Sequence, residues 1–262
     1  MKTDIYNVLD PFHKIDLQNT LHPSVYIEHT NYNILILRFP TQNEDNDITL
    51  ASHGIIFFNN NIFIYAPEDD SFIPFEFNWK SLYKLLDKNI NNTMEIINTL
   101  HEEVIDMEEL LYSEDVNKTF LENWFKVKKD FTLMNRVLLR TIIAYGQFYK
   151  KNEKEITPLL TNFHDLLEHL TRSQRLVEHN IDKLNTIYSF YSARSNDKMN
   201  YSIYTLTILS AIFLPLNLMV GFFGMNTGSL PFVDAGGTLR VILLLSSTFL
   251  ILFLFLIFRK KQ

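Results

Sequence analysis

Two long apolar stretches near the C-terminal end constrain this chain more than any other feature. The first runs from about Ile203 to Phe223 and holds no charged residue; the second runs from about Leu239 to Phe258, with Arg240 at its start. About 20 helical residues, at roughly 1.5 Å each, cover the roughly 30 Å hydrocarbon core of a bilayer. The run LLLSSTFLILFLFLIF offers no polar face for a soluble helix. A two-helix membrane hairpin is therefore expected, rather than a buried soluble one.

Basic residues orient it. Arg194 and Lys198 precede the first span, and Arg259, Lys260 and Lys261 follow the second. The connecting residues 224–238 contain no Lys or Arg. The positive-inside rule then places both termini in the cytoplasm and the connection outside, with Arg240 at the outer interface. The start, MKTDIYNVLDPFHK, shows no apolar segment behind a basic one, so no signal peptide is read there and the N-terminus is expected to stay cytoplasmic.

The rest of the 262 residues suffices for one soluble domain. With no cysteine in the chain, disulfide scaffolds, thiolate zinc sites and cysteine nucleophiles are excluded. A formal net charge of −6 argues against nucleic acid as a partner. Residues 1–78 read as strand and loop. YIEHT, NILILRF, ITLASHGIIFFN and NIFIYAP are rich in β-branched and aromatic residues, and Asn59-Asn60-Asn61 reads as a hairpin turn. From Trp79 the pattern turns helical. Helices are expected near 79–90, 92–112 and 118–150, and Pro158 suits the first turn of another.

In that last helix Phe163, Leu167, Leu170, Gln174, Val177, Ile181, Leu184, Tyr188 and Tyr191 alternate spacings of four and three. This is a heptad seam, which can pair within a subunit or between subunits. No Gly or Pro interrupts Leu159 to Leu214, so the helix can run straight into the first apolar stretch. From 158 to 223 it would extend on the order of 100 Å.

Within the first apolar stretch the polar and small residues form a stripe. Asn200, Ile203, Thr207, Ser210, Leu214, Asn217 and Gly221 step by three and four and share one helix face. Amides in lipid are costly unless hydrogen-bonded, so this face should meet protein or water. Two helices cannot enclose a water path, so a pore along the stripe needs several copies around an axis. A close helix–helix packing face reads equally well from the periodicity. The stripe contains no carboxylate. Amide oxygens suit a hydrated hard cation such as Mg²⁺, which keeps several of its waters. Ile203, Leu206 and Leu214 can close such a path by dewetting.

The first stretch ends in GFFGMNTGSLP, and FLPLNLMVGFFGMN as a whole resembles the proline-containing first span of the CorA superfamily of divalent-cation channels and transporters. The resemblance covers roughly 155–262; over 1–150 it is general. It implies a homopentamer in which each subunit contributes its long helix to a central pore in the inner (plasma) membrane. It implies an α+β cytoplasmic domain, mostly antiparallel sheet with helices, joined by a long stalk helix to a transmembrane hairpin. The expected divisions are 1–157 for the cytoplasmic domain, 158–200 for the stalk, 201–223 and 239–258 for the spans, 224–238 for the loop and 259–262 for a basic tail. Gly224, Met225 and Asn226 match the family's selectivity signature, and Asn200, Ile203, Leu214 and Asn217 match pore-lining positions. His164-Asp165-Leu166-Leu167-Glu168-His169 is similar to a family segment that binds regulatory ions between subunits, which makes Asp165, Glu168 and His169 candidate ligands. Glu68, Asp69 and Asp70 are candidates for the partner carboxylate.

The cargo implied is a divalent cation, Mg²⁺ first, with Co²⁺ or Ni²⁺ also fitting, and no cofactor beyond the transported or regulatory ion is expected. The loop departs from the magnesium pattern. Its nearest carboxylate, Asp234, lies three residues past Pro231, and TGSLP is closer to the zinc-transporting ZntB branch. Proton-coupled Zn²⁺ import is therefore the alternative, and a non-conducting membrane scaffold or sensor a third. No nucleophile elbow, phosphate loop or H-E-x-x-H pattern is present, so no enzyme is expected.

Overall fold

In a computed structural model of the chain, residues 2–44, 46–67, 69–75, 78–112, 119–225 and 237–259 are described. They fall into two compact units, Met1–Ser189 and Phe190–Gln262.

The first unit opens with two short helices, α1 (Lys2–Val8) and α2 (Pro11–Gln18). Pro11 takes the first turn of α2, where its missing N–H costs nothing, and Asp10 caps the helix by accepting from the Phe12 N–H. These two helices correct the expectation of strand and loop throughout 1–78. They are too short for a helical period to stand out in the sequence.

Five strands follow: β1 (Val25–Glu28), β2 (Tyr32–Gln42), β3 (Ile48–Phe58), β4 (Asn61–Ala66) and β5 (Ser71–Phe75). They form an antiparallel meander in the order β1-β2-β3-β4-β5. The β3–β4 turn holds Asn59 at φ 47° and Asn60 at φ 61°, with Phe58 opposite Asn61. Two successive left-handed residues are what a two-residue hairpin with the native twist requires, and Asn tolerates them. Both faces of β2 are covered. Tyr32, Ile34 and Ile36 join Ile5, Leu9, Leu17, Ile56, Phe63, Tyr65 and Phe72 in the core beneath α1 and α2. Leu35, Leu37 and Phe39 are buried on the opposite face, where α3 (Trp79–Tyr112) and α4 (Thr119–Asn152) lie against the sheet.

α3 is one uninterrupted helix rather than the two expected: Asn91 and Asn92 lie mid-helix at exposed positions, so neither buries an amide. After a short 3-10 turn, α5 runs from Leu160 to Phe223 as a single 64-residue helix. Its first part packs within its own unit. Phe163, Leu166, Leu170, Val177, Leu184 and Ile187 are buried. Hydrogen bonds fix the fit: Trp124 Nε1 donates to the Leu184 carbonyl at 2.8 Å, Gln174 to Asn135 Oδ1 at 3.2 Å, and Tyr145 OH to the Phe163 carbonyl at 2.8 Å. Of the two pairings open to the seam, the intramolecular one is realised at its buried positions. Leu167 and Ile181 are half-buried and Tyr188 is exposed.

In the second unit, the later part of α5 and α6 (Gly237–Arg259) are both apolar. Within α5 an 18-residue window reaches a mean hydropathy of 2.1 with none of it buried, and Leu239–Ile251 is a shorter apolar stretch.

Candidate functional site

The stripe residues Asn200, Ile203, Thr207, Ser210, Leu214, Asn217 and Gly221 are all exposed on α5. Half-buried positions in the same segment are Ile208, Ile212, Pro215, Leu216, Met219 and Phe223. At about 100° of rotation per residue, the two sets centre on opposite sides of the helix. The half-buried set faces α6: Leu216 and Val220 line one groove with Leu245, Ser246, Phe249 and Leu250. On α6, Val241, Leu245 and Thr248 are the corresponding half-buried positions. The polar stripe is therefore not the surface by which α5 meets α6. Thr207 turns its hydroxyl back to the Ile203 carbonyl at 2.8 Å, which satisfies that donor inside the helix.

Pro215 lies inside α5 and removes the bond its N–H would have made to the Ala211 carbonyl. The helix closes at Gly224, whose N–H donates to the Val220 carbonyl at 2.8 Å, followed by Met225 to the Phe222 carbonyl at 3.4 Å. A Cβ on Gly224 would sit 3.0 Å from the Val220 oxygen, so the turn that leaves the helix is fitted to glycine. Met225 is exposed. Asn226, the remaining signature residue, and Asp234 lie outside the described residues.

On the first part of α5, Asp165 and Glu168 each meet a histidine. His169 Nε2 is 3.5 Å from Asp165 Oδ1, and His164 Nε2 is 3.6 Å from Glu168 Oε1. These are i, i+4 pairs on an exposed face, worth a few tenths of a kcal/mol at most. Leu167, Thr171, Arg172 and Arg175 line a shallow groove with them, and the His169 Nδ1 is buried without a hydrogen-bond partner. Among the described residues no three His, Asp or Glu side chains converge in a metal-ligand group. One copy of the chain thus brings Asp165, Glu168 and His169 onto one face without gathering them around a point.

The carboxylates considered as their partners divide. Glu68 lies outside the described residues. Asp69 is exposed. Asp70, at φ 44°, accepts from Tyr6 OH at 2.7 Å, Tyr65 OH at 2.8 Å and Gln18 Nε2 at 3.1 Å. The Tyr6 hydrogen bond, then those from Gln18 and Tyr65, hold its carboxyl below the usual range. Its job in this fold is to tie α1 and α2 to β4.

A family model described as CorA-like Mg2+ transporter protein matches residues 79–260. The chain belongs to this family. A zinc transport protein, ZntB, of Yersinia enterocolitica is 25% identical over 162 residues, 59% of this chain and 46% of that protein. A cobalt/magnesium transport protein, CorA, of Thermotoga maritima is 24% identical over 154 residues, 57% of this chain and 43% of that protein. The chain thus spans about half the length of the curated relatives it matches. Among solved structures, the complete CorA magnesium transporter of Methanocaldococcus jannaschii aligns with 98% of this chain and 85% of its own, at a TM-score of 0.77 and 18% identity. The shared fold is therefore the antiparallel sheet with its helices and the long α5. The family assignment and a ZntB-like branch agree with the resemblance carried by GFFGMNTGSLP.

Two basic residues stood outside the sequence reading. Arg136 and Arg140 occupy successive turns of α4 and line a cleft with Arg38 of β2. The R-x-x-x-R spacing is visible in the sequence, but the third arginine, about a hundred residues earlier, reaches them only through the fold.

Proposed function

We propose that this chain is one subunit of a homopentameric CorA-type channel or transporter that carries divalent metal cations across the inner (plasma) membrane. Mg²⁺ is the first candidate cargo, with Co²⁺ and Ni²⁺ alongside. One observation carries the reading: the polar stripe of α5 is exposed and turned away from α6, and from Leu206 to Phe222 the exposed residues outside the stripe are apolar. A buried amide without partners costs about 2–7 kcal/mol in an apolar medium, so Asn217 cannot be left to lipid. Copies of α5 around an axis would turn Asn200, Thr207, Ser210, Asn217 and Gly221 toward water, with Ile203 and Leu214 as apolar rings.

On this reading residues 201–223 and 239–258 span the bilayer, both termini are cytoplasmic, and 224–238 lies outside. Residues 1–157 form the cytoplasmic domain and 158–200 the stalk. Gly224 and Met225 end the span and Asn226 offers a ring of amide oxygens that accept hydrogen bonds from a hydrated ion. Asp165, Glu168 and His169 would bind a regulatory divalent ion only with a residue from a neighbouring copy, as their divergence within one chain supports.

A second reading is proton-coupled Zn²⁺ import, favoured by the TGSLP loop and by relatives named zinc transport protein ZntB. Uptake of Mg²⁺, Co²⁺, Ni²⁺ and Zn²⁺ into liposomes holding the purified chain, with and without a pH gradient, separates the two. Cation uptake that Asn226→Ala abolishes is the expected result. Uptake of no divalent cation, or uptake indifferent to Asn226→Ala, would overturn the assignment.

A further inference from the structure

A cleft of about 470 Å³ lies in the first unit between the sheet and α4, well away in sequence from the stripe and from the His164–His169 groove. Its size is that of an ordinary small-molecule site. Three arginines, Arg38, Arg136 and Arg140, line it, with His22 at its edge and no Asp or Glu among the lining residues. His22 is itself paired with Asp16 at 3.4 Å. Leu21, Leu50 and Val137 supply apolar wall. In a chain of net charge −6 this is a local excess of positive charge.

Arg38 is the unusual member. It is 2% exposed, yet among the described residues no carboxylate pairs with it. Its Nε donates to the His22 carbonyl at 2.9 Å and its Nη2 to the Asn19 carbonyl at 2.6 Å, while Nη1 is buried with no hydrogen-bond partner among the described residues. A buried guanidinium is ordinarily matched by an acid, because an unmatched charge in a poorly solvated place is costly. Two backbone carbonyls fix its orientation without cancelling its charge. Arg136 and Arg140, both exposed, stand four residues apart on α4, a like-charge spacing that disfavours the helix slightly. Water solvates Arg136 and Arg140, so the charge left unmatched is that of the buried Arg38. An anion entering the cleft supplies what the protein does not.

We infer that this cleft binds a small phosphate-bearing anion, with the phosphate held by Arg136 and Arg140 over the fixed charge of Arg38 and the organic part resting on Leu21, Leu50 and Val137. Guanidinium forks match phosphate oxygens two at a time, whereas a simple halide makes no use of that geometry. The apolar wall suits a base or sugar attached to the phosphate more than the free ion. The inference is independent of what passes along α5, and its test does not use transport.

Binding is measured by titration calorimetry on the full chain in detergent, in metal-free buffer at fixed ionic strength, so that no ligand acts by chelating a cation. Three probes distinguish the source of the phosphate: inorganic phosphate, AMP, and glycerol 3-phosphate as a lipid headgroup. Saturable binding of at least one probe at one site per chain is expected, weakening as salt rises. AMP tighter than phosphate assigns an apolar subsite, glycerol 3-phosphate tightest assigns a headgroup, and equal affinities assign the phosphate alone. Arg136→Gln with Arg140→Gln, both at exposed positions, should weaken that binding about tenfold or more without lowering the unbound chain's melting temperature. No saturable binding of any probe at millimolar concentration, or binding that the double variant leaves intact, overturns the inference.

Discussion

His53 on β3 is held between the sheet and α3, with its Nε2 3.0 Å from Asn89 Oδ1 and its ring 5.9 Å from Phe39. Burial lowers its pKa from the ordinary 6.5; the Asn89 hydrogen bond opposes this and the nearby Arg38 charge adds to it. A folded-state value below the unfolded one means the native domain binds fewer protons than the unfolded chain. The stability this site contributes is complete above about pH 6.5 and is lost as pH falls through the lowered folded value. Thermal unfolding followed from pH 7.5 to 5 should show a falling melting temperature, and His53→Gln should flatten that slope. Beside it, a Cβ on Gly54 would lie 2.5 Å from Leu17 Cδ2 and 3.2 Å from the Tyr65 Cβ, so a side chain there would force Leu17 of α2 to shift. Neither fact is legible in the sequence, because both depend on which strand faces which helix. Asn59 and Asn60 were legible: a two-residue turn between two β-branched runs is a local pattern with a local cause.

At the scale of elements, legibility followed the length of the period. β2, β3, α4 and α5 repeat their pattern over eleven residues or more and lie where the sequence puts them, six residues suffice for β4 because a strand's period is only two, and α3 is continuous where two helices are expected. α1 and α2, with seven and eight residues, do not complete enough turns to announce themselves. The seam of α5 shows a subtler limit. A heptad repeat specifies that a helix has an apolar face, not what covers it. Here α4 covers much of it, with Trp124 and Lys128 reaching the carbonyls of Leu184 and Ile181. Leu170, 0% exposed, should therefore behave as a core residue of its own subunit. Leu170→Ala is expected to cost about 2–5 kcal/mol, since the surrounding helices cannot collapse fully into the space. Each kcal/mol should lower the melting temperature by about 2–4 °C for a unit of this size. The loss should be the same at every protein concentration. A destabilisation that vanished on dilution would instead place the residue between subunits.

For the whole molecule, the decisive asymmetry is between the two exposed surfaces of α5's apolar part. Phe213 and Leu218 are suited to lipid, and the amides and hydroxyls of the stripe are not. The sequence exposed the stripe through its spacing and left two uses of it equal, and α6 on the other side of the helix removes only its own chain's α6 as the surface that the stripe packs against. On the proposed reading, the stripe meets copies of itself or the water between them. The pore reading then assigns opposite consequences to two stripe positions separated by one turn. Leu214, 69% exposed, would form an apolar ring that empties of water and stops ions; Asn217 would form a ring that holds a hydrated ion. Leu214→Ser should raise divalent-cation flux into liposomes and Asn217→Leu should reduce it, on the order of tenfold each if a single ring limits passage by about 1.4 kcal/mol. Leu216→Ala, on the face toward α6, should alter melting in detergent and leave the selectivity among cations unchanged. If the stripe only packs helix against helix, the polar substitution at Leu214 and the apolar one at Asn217 would change oligomer stability and leave flux per assembled particle the same. Flux and particle mass measured on the same preparations therefore decide between a stripe that conducts and a stripe that only packs.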